Sequence, residues 1–260
     1  MTLTLDHVVI AVADLDRAYA DYASLGFTVI RGGEHSNGIT HNVLVVFADG
    51  AYLELIAWRR PDPSNRWSDV FHGAGEGFLD YALLPSDIAV DVAAAQARGL
   101  DIEDPVPGGR DRPDGARLDW RTARTSRSDV PFLCGDVTPR ALRVQEGDVR
   151  RHANGVVGIE ALTVVVRDLD ASVGRNAALL GDALPELATG TVAGTPARTA
   201  SFRLGRDTAV TLASPMGAGP LADALAARGE GPFALTLASA TEARELDPAL
   251  THGARISVGG

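Results

Sequence analysis

The sequence predicts an α+β fold built from repeated βαβββ units that pair into curved mixed sheets. The signal is strongest in residues 5–58, where one strand, one helix and three further strands follow one another. The same order of elements returns more weakly from Gly77 and again from Ile159. A single βαβββ unit is an open sheet that cannot bury its concave face alone, so the units are expected to pair.

The elements of the first unit follow from local patterns. Residues 5–12 are a β-branched apolar run, and Asp14 or Asp16 can cap the helix that comes next. Tyr19, Tyr22 and neighbouring leucines recur there at helical spacing until Gly26. Further strands are predicted over residues 27–31, 42–47 and 52–57, with turns at Gly32-Gly33 and Asp49-Gly50.

The repeats predict the domain organisation. A first domain over residues 1–137 contains two units, 1–60 and 76–137, and a connector follows over residues 138–155. A second half covers residues 156–260, with a third unit at 156–216 and a truncated fourth unit at 217–260 that includes a short helix over 240–250. In the third unit Ala161 falls opposite His7 and Thr211 opposite Glu54, and Arg206-Asp207 falls near a turn.

Composition excludes several functions. The formal charge is −10, which disfavours a nucleic-acid partner. There is no apolar run long enough to span a membrane and no signal-peptide pattern, so a cytoplasmic protein without a membrane partner is expected. All 24 basic residues are arginine, which excludes Schiff-base chemistry through lysine. The single cysteine, Cys134, lies in an apolar run and is expected to be a buried, inert thiol.

Four segments carry a family resemblance. They are DHVVIAVADLD at the first strand, YLELIA at the fourth, GGEHSNGITHN between them, and GGRDRPDGARLDW in the second unit. Together they resemble the glyoxalase-like branch of the vicinal-oxygen-chelate superfamily. The resemblance implies the glyoxalase/bleomycin resistance/dioxygenase-like fold, with an active-site cleft between paired units.

The resemblance also implies a divalent metal, Fe, Mn, Ni, Co or Zn, with His7 and Glu54 as ligands. The second unit departs from the family pattern, because Tyr81 lies near the histidine position and Phe132 to Cys134 lie near the glutamate position. The ligand set is therefore incomplete. A third ligand could come from His35 or His41, and no spacing argument decides which of them points inward.

A metal-free alternative uses the same residues. Glu54 is then a general base, His7 or His35 the acid or electrophile, and Asn42 orients the substrate. Arg110 or Arg112 could hold an acidic group of the ligand, or could pair with aspartates across a turn. In a purely structural alternative, His7 and Glu54 satisfy each other inside the sheet.

The expected function is a small-molecule enzyme of lyase, isomerase or dioxygenase type that acts on a carbonyl or vicinal-oxygen compound. Candidate substrate-binding side chains are Asn42, Arg110, Arg112, Trp120 and Tyr81. The alternative is a non-catalytic protein that sequesters a small molecule between aromatic rings, to which Trp58 and Trp67 would contribute. Trp67 lies in a connector that either packs on the surface or forms a flap. The second half is expected to be structural or to form a homodimer.

Overall fold

The computed structural model describes residues 3–205 and 208–259, so Arg206-Asp207 lies outside the described residues. The chain forms two sheets with helices on their outer faces. The strands are β1 Thr4–Ala11, β2 Ile30–His35, β3 Thr40–Val46, β4 Tyr52–Trp58, β5 Gly77–Leu84, β6 Val106–Asp111, β7 Arg117–Ala123, β8 Phe132–Asp136, β9 Val156–Val165, β10 Leu187–Val192, β11 Thr195–Leu204, β12 Thr208–Pro215, β13 Gly231–Ser239, β14 Arg244–Glu245 and β15 Ile256–Val258. The helices are α1 Leu15–Ser24, α2 Ser68–Ala74, α3 Ile88–Ala97, α4 Arg140–Arg143, α5 Leu169–Leu180 and α6 Pro220–Arg228.

The first eight strands close into a barrel in the order β1-β4-β3-β2-β6-β7-β8-β5. Each half of this order is one unit, and the units meet at two seams. One seam pairs β1 with β5 along most of their length. The other is short and pairs Glu34 with Asp111 and His35 with Arg110. The expected α+β fold with curved mixed sheets is confirmed, and the barrel is closed.

The turn predicted at Gly32-Gly33 is wrong, because both glycines lie inside strand β2, at a bulge opposite β3. A Cβ atom on Gly32 would clash with Asn42 Oδ1 and Arg110 Nη1. Gly33 has φ +126°, and a Cβ atom there would clash with the Asp111 carbonyl oxygen. The glycines therefore allow the second unit to approach β2 closely enough to close the barrel. The second strand of the first unit lies at Ile30–His35 rather than at 27–31.

The second sheet has seven strands in the order β10-β11-β12-β9-β13-β15-β14. The helix predicted over residues 240–250 is wrong: this segment contains strand β14 and turns. Its backbone pairs with β15 instead, and the Leu246 N–H donates to the Ile256 carbonyl. The helix of this part of the chain is α6, which precedes β13.

The barrel and the second sheet share one large apolar core, which contains residues from β1, β5, β9 and β13. The Arg228 side chain joins the two parts, since it donates to the carbonyls of Ala74, Gly75, Glu76 and Phe78. Among the described residues, every helix is too short or too polar to cross a membrane. The barrel interior is the part of the fold that positions the candidate site.

Candidate functional site

A cavity of about 280 Å³ lies inside the barrel. This volume is at the small end of the range for ligand pockets. Its polar wall includes His7, His35, Asn42, Glu54, Arg110 and Arg143. Its apolar wall includes Tyr52, Ile56, Trp67, Trp120, Phe132 and Cys134. Both βαβββ units contribute to each wall, so the site exists only in the closed barrel.

Glu54 occupies the centre of the polar wall. It lies on β4, is 7% exposed, and pairs in register with Val9 of β1 and Leu44 of β3. One carboxylate oxygen, Oε1, accepts a 2.6 Å hydrogen bond from the Asn42 side-chain amide. Two imidazoles flank the carboxylate: His7 Nε2 lies 3.4 Å from Oε2, and His35 Nε2 lies 3.5 Å from Oε1. The fold thus collects a carboxylate and two imidazoles around one point.

His7 is oriented from behind by Asp6. The two residues are neighbours in β1, but the register against β5 shifts between Leu5 and His7, so a bulge directs both side chains inward. Asp6 Oδ2 lies 2.7 Å from His7 Nδ1. Burial raises the pKa of Asp6, but Arg143, His7 and Arg140 outweigh this effect and hold the pKa well below its usual range. Asp6 is therefore a carboxylate, and His7 Nδ1 must donate the hydrogen bond.

This arrangement directs His7 Nε2 at Glu54. With Nδ1–H directed at Asp6, His7 Nε2 faces Glu54 Oε2 across 3.4 Å. Burial raises the pKa of Glu54, but His7, His35, the Asn42 amide and Arg110 together lower it below its usual value. A proton held on either group would join the two in a hydrogen bond, so His7 Nε2 and Glu54 are placed to exchange a proton.

His35 has a different environment on the other side of Glu54. Its Nδ1 lies 2.9 Å from Thr40 Oγ1, and its ring meets Trp120 edge-on at 6.0 Å between centroids. Burial lowers the pKa of His35 and outweighs the nearby charge of Glu54, so the neutral imidazole is favoured. The Thr40 hydroxyl can then donate to Nδ1, which leaves an Nε2–H directed at Glu54.

Asn42 connects Glu54 to Arg110. The Asn42 amide group donates to Glu54, and its Oδ1 accepts a 2.9 Å hydrogen bond from Arg110 Nη1. Arg110 is 2% exposed, and its other contact is a 3.4 Å hydrogen bond from Nη2 to the Arg143 carbonyl. One amide therefore holds a buried anion and a buried cation in fixed positions.

A buried ion network below the site was missed by sequence reasoning. Arg143 donates to both oxygens of Asp6 at 2.7 and 3.2 Å, to both oxygens of Asp136, and to the Tyr52 hydroxyl at 2.8 Å. Tyr52 in turn stacks on His7 with ring centroids 4.6 Å apart. Two adjacent polar residues, Asp6-His7, inside an apolar strand were the available signal, because both can point inward only at a bulge. Arg143 gave no such signal, since its connector has no strand or helix periodicity.

The connector after β4 covers the cavity. Trp67 lines the cavity, and its Nε1–H donates to Asp80 Oδ2 at 3.0 Å. Arg66 is bound to the same carboxylate oxygen. Asp80 is 1% exposed and lies on β5 of the second unit. The connector is therefore fixed to the barrel by the Asp80 carboxylate, as expected of a packed connector. It also lines the cavity, as expected of a flap.

Two predicted substrate-binding residues lie outside the cavity. Tyr81 points into the apolar core on the other face of β5, where its hydroxyl has no hydrogen-bond partner. Tyr81 pairs with Val8 of β1, and both side chains lie in the same core, because directly opposite residues of an antiparallel pair share one face of the sheet. This register cannot be read from sequence. Arg112 bonds to the Leu142 carbonyl and Asp114 at the surface side of the seam. Asn42, Arg110 and Trp120 do line the cavity.

The superfamily implies a divalent metal, and the residues present do not fit one. The two imidazoles approach different oxygens of Glu54, one of which already accepts the Asn42 hydrogen bond. The second unit supplies Phe132 and Cys134 where further ligands would be needed, and Arg110 adds a buried positive charge. In the described part of the chain, no three His, Cys, Asp or Glu side chains are arranged to hold a metal ion.

The described residues of the second sheet form no equivalent site. Ala161 pairs with Ala209, and Thr211 pairs with Thr163, in the same parallel register that brings His7 and Glu54 together in the barrel. Alanine has no polar side chain, and Thr211 Oγ1 bonds to Ser201 Oγ. The candidate site therefore belongs to the barrel alone among the described residues.

Comparison with solved structures supports the fold. A hypothetical protein from Staphylococcus aureus matches with a TM-score of 0.72 and 14% identity, and the match covers 98% of each chain. A mutant of 4-hydroxymandelate synthase from Streptomyces coelicolor matches with a TM-score of 0.67 and 16% identity, over 92% of this chain and 71% of that one. A fusion of a xylose isomerase-like TIM barrel with 4-hydroxyphenylpyruvate dioxygenase matches with a TM-score of 0.52 and 14% identity, over 92% and 36%.

A comparison with curated proteins gives no match. A family model described as "Glyoxalase-like domain" matches residues 5–180, which include the whole barrel and the start of the third unit. The match spans the motifs that carry His7, His35, Asn42, Glu54 and Arg110. The chain has the fold of the vicinal-oxygen-chelate proteins and is a member of the glyoxalase-like domain family.

Proposed function

We propose that the barrel cavity catalyses proton transfer at a carbon next to a carbonyl group, as a lyase or isomerase of small molecules. The observation that carries this proposal is the buried Glu54 carboxylate between two imidazoles, at 3.4 Å from His7 and 3.5 Å from His35. An ionised carboxylate beside an imidazolium provides a base and an acid within reach of one substrate.

In the proposed step, Glu54 removes the proton from the carbon, and the electrons of the C–H bond form an enolate. The His7 Nε2–H donates to the enolate oxygen, and Asp6 stabilises the imidazolium through Nδ1. Delivery of the proton to the opposite face or to the neighbouring carbon gives an isomerase, and expulsion of a leaving group from the next carbon gives a lyase. This chemistry needs no group beyond these side chains. Dioxygen activation, by contrast, would need a redox metal that the donor set does not suit.

Hydrogen–deuterium exchange tests this proposal without knowledge of the full reaction. The protein would be incubated in D₂O with EDTA and a panel of 2-oxo acids, 3-oxo acids and hydroxy ketones, and loss of the proton signal next to the carbonyl followed by NMR. We expect exchange with the wild type and a reduction of about 10²- to 10⁴-fold in Glu54→Gln, because the base is lost. Arg112→Gln, outside the cavity, is the control and should exchange at the wild-type rate.

Exchange that is equally fast in Glu54→Gln would contradict the proposal.

The apolar wall favours a second candidate, a protein that binds a small molecule without turnover. Trp67 packs against Phe132 with ring centroids 6.1 Å apart, and Trp120 also lines the cavity. Quenching of tryptophan fluorescence by compounds that show no exchange would favour this candidate.

A further inference from the structure

Arg110 is a buried cation that is linked to the Glu54 carboxylate only through the Asn42 side chain. It is 2% exposed, and in residues 3–205 and 208–259 it forms no ion pair. Its hydrogen-bond partners are two neutral oxygens, Asn42 Oδ1 and the Arg143 carbonyl, and its Nε–H has no partner. A guanidinium has five N–H donors, so most of its hydrogen-bonding capacity is unused.

The other arginines of the barrel interior are bound by carboxylates. Arg143 is paired with Asp6 and Asp136, and Arg66 is paired with Asp80. Burial lowers the pKa of Arg110, and this effect outweighs the raising effect of Tyr52 and of the Glu54 charge. A buried cation without a direct ion pair is costly to the fold, so an anion that enters the cavity and binds its unused N–H groups would offset this cost.

The position of Arg110 relates this anion site to Glu54. Asn42 contacts both residues, donating to Glu54 at 2.6 Å and accepting from Arg110 at 2.9 Å. An acidic group bound at Arg110 would therefore place the neighbouring atoms of the same molecule beside the Glu54 carboxylate. The acidic group and the reacting carbon must be close together in the substrate, because only the Asn42 amide lies between Arg110 and Glu54.

We propose that the substrate is a small carbonyl compound with an acidic group close to its carbonyl, a 2-oxo or 3-oxo acid, and that Arg110 is the counterion of that group. The assignment of a reaction to this substrate rests on the proposed function, but the anion binding does not. A carboxylate and a phosphate share the required chemistry, since both match the planar guanidinium fork.

Binding of matched probes tests the proposal. Pyruvate, its neutral isostere pyruvamide and inorganic phosphate would be titrated into the protein, with dissociation constants from tryptophan fluorescence and ligand-observed NMR. We expect the wild type to bind pyruvate at least about tenfold more tightly than pyruvamide, because a charge-assisted hydrogen bond is lost in the amide. Tighter binding of phosphate than of pyruvate would assign the site to a phosphorylated substrate.

Variants separate anion recognition from structure. Arg110→Gln should weaken pyruvate binding by about 10- to 100-fold and abolish the preference over pyruvamide. Arg110→Lys should restore part of that preference, since it keeps the charge, and Arg112→Gln should leave both affinities unchanged. Glu54→Gln should retain pyruvate binding while losing proton exchange, so failure of the catalytic proposal is distinguishable from failure of this one. Equal affinity of the wild type for pyruvate and pyruvamide, or no binding of pyruvate and phosphate, would overturn the proposal.

Discussion

Asp6 Oδ2 lies 2.7 Å from His7 Nδ1, although the two residues are consecutive in one strand. Side chains of consecutive strand residues normally point to opposite faces. The bulge in β1 removes this alternation and brings both groups into the barrel. The same Asp6 carboxylate is bound by Arg143 and lies 2.7 Å from Arg140 Nη1. One residue thus orients the candidate acid and anchors the ion network under the cavity.

Asp6→Asn should destabilise the protein by about 3–5 kcal/mol, because it leaves buried positive charge only partly compensated. Urea unfolding monitored by circular dichroism would measure the change. Asp170→Asn is the matched control: it breaks the exposed ion pair with Arg198 and should leave the unfolding midpoint almost unchanged. Equal midpoints for the two variants would show that the buried network does not stabilise the barrel.

Gly32→Ala should destabilise the protein by about 1–3 kcal/mol, because the added methyl group overlaps the Asn42–Arg110 hydrogen bond. Thermal unfolding would measure this, and pyruvate affinity should fall with it. Gly190 lies in a strand with no atom within 4 Å of an added Cβ atom, so Gly190→Ala is the control and should unfold close to the wild-type temperature. A wild-type unfolding temperature for Gly32→Ala would refute the proposed role of this glycine at the seam.

The stability of the protein should depend on pH through His35. Burial lowers the pKa of His35 below 6.5 in the folded state, so the unfolded chain binds the proton more readily. The free energy of unfolding should therefore decrease as the pH falls below 6.5, and His35→Gln should lack this component. Urea unfolding at pH 7.5 and pH 5.5 measures the difference. The stability gap between wild type and His35→Gln should change on acidification, and a gap that is equal at the two pH values would contradict this assignment.

Cys134 should be inert in the folded protein although it lines the cavity. Burial raises the pKa of its thiol to about 12, so the reactive thiolate is nearly absent at pH 8. Ellman's reagent should give no reaction with the native protein and one thiol per chain after denaturation in guanidinium chloride. Rapid labelling of the native protein at pH 8 would mean that the thiolate is stabilised by a group we have not identified.

The purified protein should contain less than stoichiometric metal by inductively coupled plasma mass spectrometry, also after incubation with Fe, Mn, Ni, Co or Zn salts and desalting. The reason is the donor set, in which Asn42 and two imidazoles already surround Glu54 and Arg110 adds positive charge. Near-stoichiometric metal that disappears in Glu54→Gln would instead establish Glu54 as a ligand and support the metal site that the superfamily resemblance implies.

Sequence alone determined the repeat architecture, because strand and helix periodicities are local properties and return in each unit. It also placed His7, Glu54, His35, Asn42 and Arg110 in motifs of the family. It misplaced β2 and a C-terminal helix, because strand pairing overrides local preference at Gly32-Gly33 and at residues 240–250.

Only the tertiary structure decided which of these side chains face one another. A bulge at Asp6 in β1 brings this side chain to the same face as His7, and a bulge has no reliable sequence signal. The partners of Arg143, from β1, β4 and β8, are distant in sequence and meet through barrel closure. The distances from Glu54 to His7, His35 and Asn42 are likewise set by the fold. That Arg110 forms no direct ion pair among the described residues is therefore visible only in the folded barrel.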